Sequence, residues 1–323
     1  MNFTFDGNPA AEAVIQQHQS LVIAAVRSVV PAEKLAAIVM IGGYGREEGA
    51  YVIDDDGIAH PYNDYDYFLV FRDCSRDQAW QYIRTLPDLE HDTGIDVDFF
   101  PLFAEELPKL EYSLMNAEMR AGHAVIWGDV NVLDAMPDMP LAGVAPAEFR
   151  RLLTNRGCLL LMNRLSPDGE HLSKYINKAW LAIGDAALAR AGAYRLSYLL
   201  KRESIIDVLG DSTLTRNYQR AIDLRLRPDC HVPWQSCDMP AVIEAWSAAM
   251  AHYPSGSSAD SMSERMLNVL RHLKDRKLPS LDAEVLSHPR LRVTRRLPGL
   301  LRDDREGWEQ AATSTLETWA EYS

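Results

Sequence analysis

Hydrophobic residues recur along the chain with two different periods, and these periods predict two kinds of element in the first half. Apolar side chains at helical spacing predict helices, and short apolar runs rich in β-branched or aromatic residues predict strands. The predicted helices cover 9–30, 76–86 and 111–121. The predicted strands cover 36–41, 64–71, 95–102 and 123–127. This order is typical of a small α+β domain with a mixed sheet, which we assign to residues 1–135.

The pattern changes after a proline-containing segment near residue 145. Beyond this segment the alternation expected of strands disappears, and helical periodicity dominates. The predicted helices cover 147–165, 170–191, 196–208, 240–252, 260–275 and 305–321. We therefore predict a second, all-α domain over 145–323, organised as a helical bundle.

Composition and charge narrow the classes of function. The chain has 323 residues, of which 47% are hydrophobic and 24% charged, an ordinary globular composition. Its net charge of −13 argues against broad electrostatic binding to nucleic acid. Four cysteines without metal-binding spacing indicate reduced thiols. No stretch has the pattern of a signal peptide or of a membrane span, so we expect a soluble, cytoplasmic protein.

A glycine-rich turn follows the first predicted strand, in the sequence "IGGYGREEG". Gly42 and Gly43 would let the backbone approach a ligand closely and direct N–H groups at an oxyanion. A tight turn without a ligand is the alternative interpretation. The sequence matches neither the P-loop motif nor the dinucleotide-binding motif.

Pairs of acidic residues mark the next two predicted strands. Asp64 and Asp66 share one face of the second strand, and Asp96 and Asp98 share one face of the third. Two carboxylates in an apolar strand are costly unless a divalent cation binds them, although they could also cap a turn at the wet end of the strand. If the two strands are antiparallel neighbours, three carboxylates would meet and form a two-metal site.

The combination "IGGYGREEG", "NDYDYFLVF" and "VDFF" resembles the DNA polymerase β-like nucleotidyltransferase superfamily. Residues 36–103 carry this resemblance, and the helical second half is similar to single-chain members that modify small molecules, such as aminoglycoside nucleotidyltransferases. The resemblance implies that Asp64 and Asp66 ligate Mg²⁺, and that Asp98 is the third metal-binding and catalytic carboxylate. Asp96 is the alternative to Asp98.

The resemblance also implies residues that bind the nucleoside triphosphate. Gly42 and Gly43 would hold it, and Arg46 is a candidate phosphate contact, with a solvated loop arginine as the alternative. A lysine from the helical domain would reach the triphosphate, with Lys178 as first choice and Lys174 as second; ordinary solvated lysines are the alternative.

Two departures from the superfamily pattern stand out. Gly43 occupies a position where many members have serine, so a hydroxyl ligand to phosphate is missing. The segment between Gly43 and Asp64 is longer than usual and contains "VIDDDGIAHP". We expect an exposed hairpin tip there, and substrate or metal binding is the alternative.

These features predict a Mg²⁺-dependent nucleotidyltransferase with a two-ion site. It would transfer a nucleoside monophosphate from an NTP, with ATP as the expected donor, to a hydroxyl of a small-molecule or protein acceptor, releasing pyrophosphate. One alternative is a catalytically inactive nucleotide-binding or regulatory protein with the same fold. Another is a scaffold for a partner chain, in which the acids are incidental.

Overall fold

A computed structural model describes residues 2–167, 169, 171–253, 289–302 and 306–322. The chain divides into two compact units. Unit 1 comprises Met1–Ala145, Gly192–Asp207 and Ile222–Val232. Unit 2 comprises Pro146–Ala191, Val208–Ala221 and Pro233–Ser323. Two segments from the predicted helical half thus belong to unit 1, an interleaving that a prediction of two consecutive domains does not anticipate.

Unit 1 is built around a small mixed sheet of four strands. The strands are β1 (Leu35–Met40), β4 (Asp64–Phe71), β5 (Asp96–Phe103) and β6 (Ala124–Gly128). Their order in the sheet is β5-β4-β1-β6. β1 pairs antiparallel with β4 and with β6, whereas β4 and β5 are parallel. The prediction of an α+β fold with a small mixed sheet is therefore confirmed. The antiparallel arrangement considered for the two acidic strands is wrong.

A separate two-stranded hairpin lies between the glycine turn and β4. Its strands are β2 (Tyr51–Ile53) and β3 (Ala59–Pro61). The Asp54 side chain closes the tip by accepting hydrogen bonds from the backbone N–H groups of Asp56 and Ile58, at 3.0 and 2.8 Å. The long insert is thus an exposed hairpin tip, as predicted, and any role in binding stays a prediction.

The helices of unit 1 are α1 (Pro9–Val29), α2 (Gly42–Gly45), α3 (Arg76–Arg84), α4 (Glu90–Thr93), α5 (Leu114–Ala121) and most of α8 (Tyr198–Leu209). Two of them, α1 and α3, begin at the predicted residues, whereas α2 and α4 were not predicted. Asn8 caps α1 by accepting from the backbone of its first turn. Ser75 and Gln78 form a capping box on α3.

The two faces of the sheet differ in what they bury. Tyr65, Tyr67 and Leu69 of β4 join a core with Ile15 and Val22 of α1. Phe68 and Val70 point to the opposite face and join a second core, which includes Leu102 and Met119. The alternation predicted for 64–71 is therefore confirmed, and it places Asp64 and Asp66 on the face of Phe68 and Val70.

Unit 2 consists of helices and connecting segments, with no strand among its described residues. Its helices are α6 (Pro146–Leu165), α7 (Leu172–Arg190), the first part of α9 (Thr213–Leu226), α10 (Met239–Ala251), α11 (Pro289–Leu300) and α12 (Trp308–Tyr322). Short 3₁₀ helices in the chain are Leu107–Lys109, Val132–Ala135, Leu141–Gly143, Pro228–Cys230 and Ser236–Asp238. The predicted helix over 260–275 lies outside the described residues, and α9 and α11 were not predicted.

Buried aromatic residues tie the helices of unit 2 together. The indole of Trp246 donates to the Leu153 carbonyl at 2.7 Å, and the Tyr253 hydroxyl donates to the Ala186 carbonyl at 2.6 Å. Within the described part of the chain, no helix is long and apolar enough to cross a membrane.

Candidate active site

The glycine turn is a single helical turn, α2, directly after β1. Gly42 has φ +71°, a left-handed conformation that favours glycine. A Cβ at this position would lie 3.2 Å from Oδ2 of Asp66. The Ile41 N–H donates to the Asp66 carbonyl at 3.0 Å. The turn and the acidic strand are therefore held together by backbone and by close packing.

The acidic residues of β4 and β5 stand side by side in register. Asp64 pairs with Asp96, and Asp66 pairs with Asp98. Residues paired on neighbouring strands are about 5 Å apart, and their side chains lie on the same face. Asp64 and Asp66 are half-buried, whereas Asp96 and Asp98 are exposed. Parallel pairing thus places four acidic residues on one face of β4 and β5, where the sequence predicts three.

The Asp64 carboxylate has a neighbour that holds it in place. The side-chain amide of Asn63 donates to Asp64. Asn63 itself has φ +90°, a conformation that is uncommon outside glycine but is tolerated best by Asn and Asp. This local strain lies immediately before the two acids that the sequence identifies as metal ligands.

A divalent cation fits this site by the chemistry of its donors. Carboxylates from adjacent strands are the ligands that Mg²⁺ prefers, and the register brings Asp64, Asp66 and Asp98 to one face. In the side-chain conformations present, however, no three His, Cys, Asp or Glu side chains among the described residues are grouped to hold a metal ion. The backbone therefore fits a cation site, whereas the carboxylates are not gathered around one point.

Arg46, predicted to contact phosphate, is held inside unit 1. Its guanidinium lies 3.7 Å from Glu48 and 3.9 Å from Glu118, and it stacks over the Tyr198 ring at 4.8 Å. Burial opposes its charge, but the influence of Tyr198, Glu118 and Glu48 outweighs burial and raises the pKa of Arg46. A phosphate would have to displace these partners, and a phosphate-binding role for Arg46 stays a prediction.

Glu48, which follows the turn, caps a helix that is distant in sequence. Its carboxylate accepts from the Ser197 hydroxyl at 2.7 Å and from the Tyr198 and Leu199 N–H groups at 3.0 and 3.4 Å. It thereby satisfies N–H groups at the start of α8 and places a negative charge at that helix's positive end. The end of the glycine turn is thus fixed to the 192–207 segment.

A buried lysine extends this network. Lys201 is 1% exposed, its Nζ donates to the Tyr194 hydroxyl at 3.2 Å, and the Tyr194 hydroxyl also bonds to Glu118. The Lys201 ammonium lies 4.3 Å from the Tyr194 ring centroid. Sequence reasoning missed this residue because a lysine on a helix is ordinarily solvated. Lys201 also packs against the Tyr198 ring, which contacts Arg46 as well.

Tyr44, inside the turn, joins the two ends of the β2–β3 insert. Its hydroxyl donates to the Ala50 carbonyl at 2.5 Å and accepts from the Tyr62 N–H at 2.8 Å. Burial raises the pKa of this hydroxyl; the positive charge of Arg225 opposes that shift, and the negative charge of Asp64 adds to it. The charged groups of Asp64 on β4 and Arg225 on α9 therefore both lie near the Tyr44 hydroxyl.

Arg225 is a further residue at the turn that the sequence did not predict. A Cβ on Gly43 would lie 3.1 Å from its Nη2 atom and 3.1 Å from the Glu48 carbonyl oxygen. Arg225 lies in the last turn of α9, within the part of that helix that belongs to unit 1. No local motif surrounds it, and its 182-residue separation from Gly43 (225 − 43) hid the contact.

The predicted lysines lie in unit 2. Lys174 and Lys178 occupy α7 and are half-buried. Asp185, on the same helix, is 8% exposed and accepts a hydrogen bond from the Tyr218 hydroxyl at 2.5 Å. Triphosphate binding by either lysine stays a prediction.

Unit 2 also contains a cavity of about 710 Å³. Its lining mixes apolar residues such as Leu172 and Ile243 with Asn163, Arg164 and Glu244. The cavity has the size of a small-molecule site. Among its described lining residues, Glu244 is the one acidic side chain.

Comparison with known proteins adds no family assignment. A scan against protein-family models finds no model that matches the chain, and a search of curated proteins finds no significant match. The resemblance carried by residues 36–103 thus rests on those motifs.

Proposed function

We propose that the protein is a Mg²⁺-dependent nucleotidyltransferase. It transfers a nucleoside monophosphate from an NTP, with ATP as the expected donor, to a hydroxyl of a small-molecule or protein acceptor. The observation that carries the proposal is the position of Asp66. Its carboxylate lies against Gly42 of the turn, and its strand neighbour in register is Asp98.

In this proposal the chain's own residues bind and orient the two substrates. The turn at Gly42 and Gly43 brings backbone N–H groups to the triphosphate, because glycine has no side chain that would separate its backbone from the phosphates. Asp64 and Asp66, with Asp98, would hold Mg²⁺. Mg²⁺ bound in such sites neutralises phosphate charge and aligns the attacking and leaving oxygens.

Asp98 has a second role in the proposed reaction. It is exposed at the edge strand β5, where an acceptor hydroxyl can approach it. Its carboxylate would take the proton from that hydroxyl as the oxygen attacks the α-phosphorus of the NTP. The bond to pyrophosphate breaks as the new P–O bond forms, and positioning and charge stabilisation do most of the catalytic work.

A screen of the four common NTPs tests this function. Each NTP is incubated with the protein, Mg²⁺ and pooled acceptors, namely aminoglycosides, sugars and a cell extract, and pyrophosphate release is measured. The proposal expects release with at least one NTP, and none when Mg²⁺ is chelated. Absence of release with every NTP and every acceptor pool would overturn it.

A nucleotide-binding protein without transfer activity is the second candidate. In this candidate the turn of Gly42 and Gly43 holds the nucleotide, and Asp98 takes no proton from an acceptor. A binding measurement with a labelled NTP separates the two candidates. Stoichiometric retention of the intact NTP without pyrophosphate release would favour the second candidate.

A further inference from the structure

The guanidinium of Arg225 occupies the space next to the second glycine of the turn. Nη2 of Arg225 lies where it would contact a side chain on Gly43 at 3.1 Å. Arg225 is half-buried, and Gly43 is buried. Because Gly43 has no side chain, the guanidinium can lie beside the turn, the part of the chain proposed to face the triphosphate.

Among the described residues, Arg225 lacks the carboxylate contact that three other arginines of unit 1 have. In unit 1, Arg46 contacts Glu48, Arg202 contacts Asp223 at 2.7 Å, and Arg227 contacts Asp6 at 3.2 Å. Among the described residues, no carboxylate forms an ion pair with Arg225. A half-buried cation without a carboxylate partner favours binding of an anion, and a planar guanidinium suits phosphate oxygens.

This position also accounts for a departure from the superfamily pattern. Many members of the resembled superfamily have a serine where this chain has Gly43, and that hydroxyl binds phosphate. A serine here would crowd both the Arg225 guanidinium and the Glu48 carbonyl, each at 3.1 Å from the new Cβ. The chain therefore has a guanidinium at the place where the pattern has a hydroxyl.

We propose that Arg225 binds the polyphosphate of the nucleotide, in place of the serine hydroxyl that Gly43 lacks. The proposal rests on the proposed function, because it requires a polyphosphate at the turn. It makes α9, whose first part belongs to unit 2, the source of a phosphate ligand, separate from the predicted lysines on α7.

Equilibrium binding tests this assignment without turnover. Calorimetry would use inorganic tripolyphosphate, the NTP found in the screen and the corresponding nucleoside, each with Mg²⁺. For Arg225→Ala we expect tripolyphosphate and NTP to bind on the order of 10- to 100-fold more weakly, and the nucleoside to bind as in wild type. Arg225→Lys should lose less, because it keeps the charge without the planar pair of donors.

Arg227→Ala is the matched control. It removes an arginine two residues away that is already paired with Asp6, and it should leave tripolyphosphate binding within about twofold of wild type. Thermal unfolding of each variant checks that the fold is intact. An Arg225→Ala protein that binds tripolyphosphate as tightly as wild type would overturn the assignment.

A double variant tests the replacement of the hydroxyl directly. Gly43→Ser should weaken tripolyphosphate binding in the wild-type background because it displaces the guanidinium. In the Arg225→Ala background one of the two crowding contacts is gone, so Gly43→Ser should restore part of the lost affinity. A double variant that binds more weakly than Arg225→Ala would contradict the exchange of one ligand for the other.

The outcomes separate this inference from the proposed function. If wild type binds neither tripolyphosphate nor any NTP, both fail together. If wild type releases pyrophosphate and Arg225→Ala binds tripolyphosphate with unchanged affinity, the proposed function stands and the role of Arg225 is overturned.

Discussion

The carboxylate of Asp66 lies so close to Gly42 that any side chain on Gly42 would meet it, with a Cβ 3.2 Å from Oδ2. Gly42→Ala should therefore lower nucleotide binding and destabilise unit 1. The left-handed backbone alone costs about 1–2 kcal/mol. Gly57→Ala is the matched control, because Gly57 has φ +79° and a Cβ there would have no described atom within 4 Å.

Chemical denaturation and NTP binding of these two variants distinguish backbone strain from crowding. Gly42→Ala should lose at least as much stability as Gly57→Ala, because crowding adds to backbone strain, and only Gly42→Ala should lose nucleotide affinity. Equal affinity losses in the two variants would show that contact with Asp66 is not the reason for glycine at position 42.

The parallel register of β4 and β5 makes Asp98, rather than Asp96, the strand neighbour of Asp66. Asp98→Asn should reduce the rate of pyrophosphate release on the order of 10²- to 10⁴-fold, because it removes the proposed general base. Asp96→Asn should stay within a few-fold of wild type in the same assay. The reverse result would assign the third carboxylate to Asp96.

Glu48 caps α8 and contacts Arg46, so removing its carboxylate should destabilise the protein. Glu48→Gln should lower the free energy of unfolding by about 1.5–3 kcal/mol, the range for hydrogen bonds to a charged group. Glu47→Gln is the control, since Glu47 is exposed and its carboxylate accepts a long hydrogen bond from the Asn2 N–H, at 3.4 Å. Urea denaturation measures the free energy of unfolding of both variants. Equal values would contradict a stabilising role for the Glu48 carboxylate.

Gly184 in unit 2 packs against Tyr218, and a Cβ there would come within 2.0 Å of the ring. Gly184→Ala should destabilise the protein by about 1–3 kcal/mol through overpacking. It should also disturb the hydrogen bond from Tyr218 to Asp185. Gly299→Ala, in helix α11, meets no described atom within 4 Å and should be neutral or slightly stabilising. Similar unfolding curves for the two variants would contradict this packing.

Most helices and strands of unit 1 were predicted correctly, because hydrophobic periodicity agrees there with the capping and turn residues. β4 has the predicted limits, 64–71, since alternation and the preceding insert both define it. The direction of β5 relative to β4 was not predictable, because Asp96 and Asp98 share a face in either orientation. Helix α9 was not predicted, although Leu214, Tyr218, Ala221 and Ile222 recur there at helical spacing.

The candidate site was predictable only where its residues are close in sequence. Gly42 and Asp66 belong to consecutive elements, and the motif that joins them is local. Arg225 reaches the turn from α9, and Glu48 caps α8, so both depend on tertiary packing that periodicity does not encode. Arg46 follows the turn directly, yet its side chain points to Glu48 and Glu118, which a motif cannot reveal.

The initial rate of pyrophosphate release by Asp66→Asn, under the NTP and acceptor conditions at which wild type is active, tests the central claim most directly. Asp92→Asn is the control, because it makes the same change at an exposed acid paired with His91. We predict a loss on the order of 10²-fold or more for Asp66→Asn and a wild-type rate for Asp92→Asn. A wild-type rate for Asp66→Asn would contradict the account.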